Sequence, residues 1–216
     1  MSAEAFEEGT DHSANLIFAM CHEISNLVAA IRLQAHLVDE DLDARGLAVA
    51  SLEIDDLSAR SAAILALIRP VLSPAPAEIA PLDAGVIALG FERAIVDYGG
   101  RGFEIAFDIP SDLPEIRAET EVFHYILLSQ AYGAMEAMSP GGEIRVEVVV
   151  EEKEVIFVIE DGAPEEEEHL AWREASLRGR ALECAVAHQI LTKRGARFSV
   201  ERRGAKNRTE IAAPRA

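Results

Sequence analysis

The sequence predicts an α+β protein in two parts, an N-terminal antiparallel helical hairpin over residues 1–75 and an α/β sandwich over residues 76–216. Three observations predict it. Apolar residues recur at helical spacing in the first part, proline-rich residues 73–77 interrupt this pattern like a linker, and strand-like alternation joins the helical pattern afterwards. Helices that cover one face of a mostly antiparallel sheet form a sandwich of this kind.

Composition narrows the partners and the location. A chain with a formal net charge of −18 is poorly suited to nucleic acid or to an anionic membrane, because both attract basic surfaces. No apolar run approaches the ~20 residues of a membrane span, and the acidic start of the chain lacks the basic and apolar segments of a leader. We therefore expect a cytoplasmic protein without a nucleic-acid or membrane partner.

The cysteines and histidines form no disulfide or metal-binding pattern. Cys21 and Cys184 are the only cysteines and lack CxxC spacing, and the six histidines are scattered. Cys21 lies beside an apolar stripe, so we expect a small buried thiol there. The sequence therefore predicts neither a disulfide framework nor a metal site.

The first helix carries the most informative residue, His22. On a helical wheel His22 lies opposite the apolar stripe and shares the polar face with Ser25, Asn26 and Arg32. An exposed histidine with an acid beside it, here Glu23, is a candidate phosphoacceptor; the alternative is an ordinary polar residue on a solvated face. The stripe has the spacing of a helical bundle and consists of Leu16, Met20, Ile24, Leu27, Ile31, Ala35 and Val38.

A second helix is predicted from about Leu47 to Arg69, and Pro70 should end it because proline cannot continue the hydrogen-bond ladder. An acidic turn at 39–46 joins the two helices into a hairpin. A single hairpin cannot bury apolar surface on both helices by itself. We therefore expect two copies of the chain to pair into a homodimer with a four-helix bundle.

Beyond the linker the pattern predicts three helices and five strands. Apolar periodicity favours the helices, alternation favours the strands, and glycine-rich turns separate several of them. The helices are predicted at 83–98, 119–138 and 177–194, and the strands at 103–109, 143–150, 155–159, 197–201 and 209–212.

Three segments resemble, in order and spacing, the transmitter core of two-component sensor histidine kinases, a dimerising hairpin followed by an ATP-binding domain. They are His22-Glu23-Ile24-Ser25-Asn26, the helix at 123–138 and the segment 185–191. The resemblance implies that His22 accepts a phosphoryl group, that Glu23 hydrogen-bonds the other ring nitrogen, and that Asn26 shapes the transfer geometry. Ser25 and Arg32 are then candidate partner-docking residues; the alternative is that both are only solvated.

The sequence departs from this family at the elements that handle nucleotide. Ser129 and Gly133 replace two asparagines that help to hold magnesium, and neither has an amide oxygen. The box that begins with the adenine-binding aspartate keeps only Asp161, and the final glycine box has Glu183 where phosphate oxygens should meet free N–H groups. Four glutamates at 165–168 in the lid would repel a triphosphate. We expect the fold without ATP chemistry.

The departures favour a histidine phosphotransferase that resembles the ChpT-type and sporulation-type dimeric phosphotransferases. Such a protein would pass phosphoryl groups between receiver-domain aspartates of response regulators through phosphohistidine on His22, with a hybrid histidine kinase as a further candidate partner. It would need no cofactor of its own, since the receiver brings its magnesium. Two alternatives stay open: a non-catalytic adaptor that binds a kinase or response regulator, and an active soluble histidine kinase with an unusual ATP pocket.

Overall fold

The computed structural model describes residues 3–38, 43–74, 79–99, 102–138, 140–163 and 179–216. The middle of the predicted linker and the acidic lid at 165–168 lie outside the described residues. Described elements follow in the order α1 Ala3–Val38, α2 Ala44–Leu72, β1 Pro81–Asp83, α3 Ala84–Gly99, β2 Glu104–Asp108, β3 Glu115–Arg117, α4 Thr120–Ala137, β4 Glu143–Val150, β5 Glu154–Asp161, α5 Gly179–Lys193, β6 Arg197–Arg203 and β7 Lys206–Pro214.

The two N-terminal helices form the predicted hairpin. The carboxylate of Asp43 caps α2 by accepting a hydrogen bond of 2.8 Å from the Gly46 N–H. The prediction that Pro70 ends α2 is wrong, because the helix continues to Leu72 and Pro70 is buried within it. The missing N–H of Pro70 removes one hydrogen bond, to the carbonyl four residues earlier, and burial of the proline ring offsets that loss.

The C-terminal part is an α/β sandwich around a five-stranded sheet. The strand order is β2-β4-β5-β7-β6; β2 and β4 are parallel and the other neighbours are antiparallel. The strands β1 and β3, which the sequence did not predict, pair as a separate two-stranded antiparallel sheet. Three residues each are too few to show an alternating pattern, which explains why they were missed.

One continuous hydrophobic core joins the hairpin to the sandwich. Leu16, Met20 and Leu67 of the hairpin belong to the same buried cluster as Phe91 and Phe157 of the C-terminal part. The C-terminal part therefore covers some of the hairpin surface that we expected a second copy to cover. Large apolar side chains still remain exposed on the hairpin, namely Phe18, Val28, Leu33, Leu37, Leu47, Val49, Leu65 and Leu72.

The opposite face of the sheet buries only a small apolar cluster, Ile156, Val158 and Ala212. Ion pairs lie across the outer surface of these strands. Arg208 pairs with Glu160 and Glu210 at 2.8 Å each. The helices thus cover one face of the sheet. The hairpin packs against two of these helices, α4 and α5.

Among the described helices, one segment, Ser13–Val38 of α1, is long and apolar enough to cross a membrane by length and composition alone. Core helices of soluble proteins and signal sequences pass the same test, so this evidence is weak. The segment also carries His22, Glu23 and Arg32, which are polar residues that a lipid environment would disfavour.

Candidate functional site

His22 lies on the exposed face of α1, as the helical wheel predicted. Its Nδ1 is 3.2 Å from Nδ2 of Asn26, because side chains four residues apart on a helix lie one above the other. The Ser25 hydroxyl donates a 2.8 Å hydrogen bond to the carbonyl of Cys21 within the same helix. Arg32 is exposed further along α1. The structure thus brings His22 and Asn26 into direct contact.

The thiol of Cys21 is exposed, so the expectation of a buried thiol is wrong there. Cys21 is next to the buried Met20 in the chain, but its own side chain lies outside the part of α1 that is buried. Cys184 is buried instead, and burial raises its pKa to about 12.

Glu23 does not contact the His22 ring, contrary to the resemblance-based prediction. Its carboxylate Oε1 lies 3.1 Å from Nη2 of Arg60 on α2. Successive residues on a helix project about 100° apart, so the side chain of Glu23 turns towards α2 while His22 turns to solvent. The partner of the His22 ring is Asn26, and the partner of Glu23 is an arginine that the sequence analysis missed.

Arg60 is the buried centre of an ionic cluster. Its guanidinium donates from Nε and Nη2 to Oε1 of Glu183, at 3.3 and 3.2 Å, and its Nη1 pairs with Glu136. Burial alone would lower the pKa of Arg60, but the carboxylates of Glu183, Glu136 and Glu23 raise it above the ordinary value. One positive charge therefore holds three carboxylates from three helices.

Glu183 occupies the space beside Gly133, a position at which the resemblance to sensor histidine kinases implies an asparagine. A Cβ atom on Gly133 would lie 1.9 Å from Oε2 of Glu183. Complete burial raises the pKa of Glu183 to about 7, although Arg60 opposes this shift. The glycine at 133 is therefore explained by the carboxylate next to it. Ser129, the other replaced position, is buried and donates to the carbonyl of Ile126 at 3.0 Å.

Asp161 is fully buried at the end of β5, and protein groups already occupy its carboxylate. Oδ1 accepts hydrogen bonds from Arg180 Nη1 at 3.0 Å, Asn207 Nδ2 at 2.9 Å and the Ala163 N–H at 3.0 Å. Oδ2 accepts from Arg180 Nη2. Both oxygens are thus satisfied without a ligand, so Asp161 serves as a structural turn residue.

These contacts test whether the residues present fit the magnesium nucleotide that the resemblance to sensor histidine kinases implies. They do not fit. Arg180 covers the aspartate that would meet adenine, and Glu183 places a carboxylate in the region of the phosphates and the metal. The described residues also contain no group of three or more His, Cys, Asp or Glu side chains that could hold a metal ion.

Arg60 and Arg180 are the site residues that sequence reasoning missed. A signal for Arg60 was present: it stands in line with Leu57, Ile64 and Leu67 on the apolar stripe of α2. A charged residue on such a stripe is almost never fully buried unless it is paired. A search for charges at apolar positions would have identified it, but not its partners.

Comparisons with solved structures identify the fold. No protein-family model and no curated protein matches the sequence. The structure aligns with full-length ShkA in complex with AMPPNP at a TM-score of 0.60 and 18% identity, covering 93% of this chain and 45% of ShkA. This chain therefore spans less than half of ShkA.

Two further structures match over nearly their whole length. The Acinetobacter baumannii histidine kinase AdeS aligns at a TM-score of 0.60 and 16% identity, covering 90% of this chain and 98% of AdeS. A bacterial phosphotransferase aligns at 0.55 and 17% identity, covering 98% and 97%. At these identities the likeness shows the fold alone: a helical hairpin followed by a sandwich of the histidine-kinase ATPase type, as predicted.

Proposed function

We propose that this protein is a histidine phosphotransferase of a two-component phosphorelay, which passes phosphoryl groups between receiver-domain aspartates through phosphohistidine on His22. The observation that carries the proposal is the contrast between two sites. His22 is exposed beside an amide partner, whereas Glu183 lies beside Gly133 and Arg180 binds Asp161, at two positions that the resemblance assigns to nucleotide binding in kinases. A protein with the first site and without the second can exchange phosphoryl groups but cannot draw them from ATP.

The chemistry is a nucleophilic displacement at phosphorus. Nε2 of a neutral His22 attacks the phosphorus of an aspartyl phosphate in line, the N–P bond forms, and the bond to the aspartyl oxygen breaks. The receiver's aspartate leaves as a carboxylate, and the reverse step delivers the group to a second receiver. The receiver's own magnesium neutralises the phosphoryl oxygens, so this chain contributes no metal.

Asn26 supports this reaction by fixing the tautomer of His22. The nucleophilic Nε2 has a free lone pair only when the ring proton is on Nδ1. An asparagine amide carries a donor and an acceptor at similar positions, so turning it over brings Oδ1 to the place where Nδ2 now lies 3.2 Å from Nδ1. In that orientation Oδ1 accepts from Nδ1–H and leaves Nε2 free to attack.

Glu23 has a different role in this proposal from the one that the resemblance implied. It anchors α1 through Arg60 and acts on His22 only by holding the helix. Ser25 and Arg32 share the exposed face of α1 with His22 and are proposed as docking residues for the receiver. The exposed apolar side chains of the hairpin favour a homodimer, and the acidic chain favours protein partners. We propose a cytoplasmic location for these encounters.

A labelling experiment tests the proposal. Purified protein is incubated with labelled ATP and, separately, with labelled phosphorylated receiver domains from the same cell. His22→Ala is the site variant, and His36→Ala, an exposed histidine on the same helix, is the matched control. We expect label from a receiver, none from ATP, loss with His22→Ala and no change with His36→Ala.

Each other result selects an alternative. Label from ATP on His22 would show an active kinase. Label from neither source, with a receiver panel that includes a partner shown to bind, would favour a non-catalytic adaptor. Label that persists in His22→Ala would place the acceptor elsewhere.

A further inference from the structure

A single guanidinium connects the helix of His22 to the C-terminal part. Arg60 on α2 contacts Glu23 on α1, Glu136 on α4 and Glu183 on α5. The side chains of Arg60 and Glu183 are each only 3% exposed, that of Glu23 is 15% exposed, and that of Glu136 at the edge is 54% exposed. We call these four residues the Arg60 cluster.

The arginine fixes geometry as well as charge. A guanidinium presents its N–H donors in one rigid plane, whereas a lysine ammonium is a point charge on a flexible stem. Arg60 uses Nε and Nη2 towards Glu183, Nη2 towards Glu23 and Nη1 towards Glu136. The plane therefore sets the relative positions of three helices, and no other basic side chain could reproduce these contacts.

The Arg60 cluster acts next to the proposed phosphoacceptor. Glu23 is the residue after His22, so the contact between Glu23 and Arg60 sets the rotation of α1 about its own axis. That rotation directs the imidazole of His22 away from the cluster and into solvent. The contacts with Glu136 and Glu183 then fix where the C-terminal part stands relative to the His22 face of α1.

We infer that Arg60 is a positioning residue for phosphotransfer: it holds His22 and the C-terminal part in the one arrangement that a receiver domain must contact. The inference rests on the proposed function and gives the C-terminal part a task that needs no nucleotide. A receiver spans far more surface than its aspartyl phosphate, so it requires both surfaces in register, whereas a small phosphoryl donor requires only an exposed imidazole.

This difference in size gives the test. His22 phosphorylation is measured with phosphorylated receivers over a range of concentrations and with phosphoramidate, a small donor. The variants are Arg60→Gln, Arg60→Lys and the exposed matched control Arg45→Gln. We expect Arg60→Gln to lower the receiver-dependent rate at least tenfold, with Arg60→Lys in between and Arg45→Gln unchanged. Phosphoramidate rates should stay within twofold of wild type in all variants.

Several results would overturn the inference. They are an unchanged receiver rate in Arg60→Gln, an equal loss with both donors, and an Arg60→Lys variant as fast as wild type. If Arg60→Gln does not fold because it strands Glu183, the variant with both Arg60→Gln and Glu183→Gln removes the buried charge as well, and the same tenfold loss is expected of it.

Hydrogen exchange separates the inference from the proposed function. If wild-type protein accepts phosphate from phosphoramidate but from no receiver that binds it, the proposed function fails. The Arg60 cluster is then judged by backbone exchange: at least tenfold faster exchange at the start of α5 in Arg60→Gln, with β5 unchanged, supports its positioning role. Unchanged exchange in α5 overturns that role whatever the phosphotransfer result.

Discussion

Replacing Gly133 by alanine should destabilise the protein, although the same change usually stabilises a helix. Gly133 lies in the interior of α4, where alanine is favoured over glycine by about 1 kcal/mol. The new Cβ would lie 1.9 Å from Oε2 and 3.0 Å from Cδ of Glu183. Glu183 has no room to yield freely, because it is buried and two hydrogen bonds tie it to Arg60.

The magnitude follows from these opposing terms. Overpacking a buried site costs about 1–3 kcal/mol, and weakening a hydrogen bond to a charged group costs about 1.5–3 kcal/mol if it is lost. Because the hydrogen bonds of Glu183 are weakened and not lost, we expect a cost at the low end of the sum, about 2–3 kcal/mol, offset by about 1 kcal/mol of helix propensity. The net loss in the free energy of unfolding should be about 1–2 kcal/mol.

A double-mutant cycle isolates the contact. In a Glu183→Ala background the space beside residue 133 is free, so Gly133→Ala should stabilise the protein by about 1 kcal/mol. Gly90→Ala on α3 is the control for a helical glycine with room, since its Cβ would lie 3.6 Å from the His124 ring, an ordinary contact. Urea unfolding at one fixed protein concentration, followed by circular dichroism, measures all variants.

The sign of the effect decides the outcome. A Gly133→Ala variant as stable as wild type, or an equal effect in both backgrounds, would show that Glu183 does not occupy the space beside Gly133. Destabilisation by Gly90→Ala would instead show that helix propensity does not determine the stability change even at a helical glycine that has room for a Cβ.

Three other predictions concern pH, the imidazole and the core. Burial raises the pKa of Glu183 from 4.5 to about 7, so the contribution of Glu183 to stability is complete below pH 4.5 and is lost as the pH rises through 7. Relative to Glu183→Gln, the free energy of unfolding of the wild type should therefore fall by about 3 kcal/mol over this pH range. Parallel curves of stability against pH for the two proteins would contradict this prediction. Asn26→Ala should slow phosphoryl transfer to His22 about tenfold, the equivalent of one hydrogen bond. Asn26→Asp should slow it less, because a carboxylate still accepts from Nδ1–H. Equal rates for Asn26→Ala and the wild type in labelling assays would refute the tautomer role. Leu67→Ala should lower the free energy of unfolding in urea by about 2–5 kcal/mol, because Leu67 is buried in the core. Leu65 is 52% exposed on the same helix, so Leu65→Ala should lower it by less than about 1 kcal/mol. Similar losses in the two variants would argue against the shared core.

Local patterns predicted most of the fold. The spacing of Leu16, Met20 and Leu27 predicted the face of α1 that is buried, and the alternation in residues 143–150 predicted β4 with its bounds. The predictions that failed concern residues whose burial or conformation depends on contacts with segments distant in the sequence. Pro70 stays inside α2, and the thiol of Cys21 is exposed although it lies beside the apolar stripe of α1.

The sequence by itself determined most of the elements, their order and the exposed position of His22, because periodicity depends only on residues a few positions apart, but it did not show the short strands β1 and β3. The resemblance to sensor histidine kinases also marked Gly133 and Glu183 as departures from that family's nucleotide-binding segments. Only the tertiary structure showed that these two changes belong together, since the Glu183 carboxylate occupies the space that a side chain at 133 would need. Its pairing with Arg60 spans 123 positions along the chain. An ion pair between distant segments produces no periodic pattern in either segment, so only the folded structure shows that the two residues are in contact.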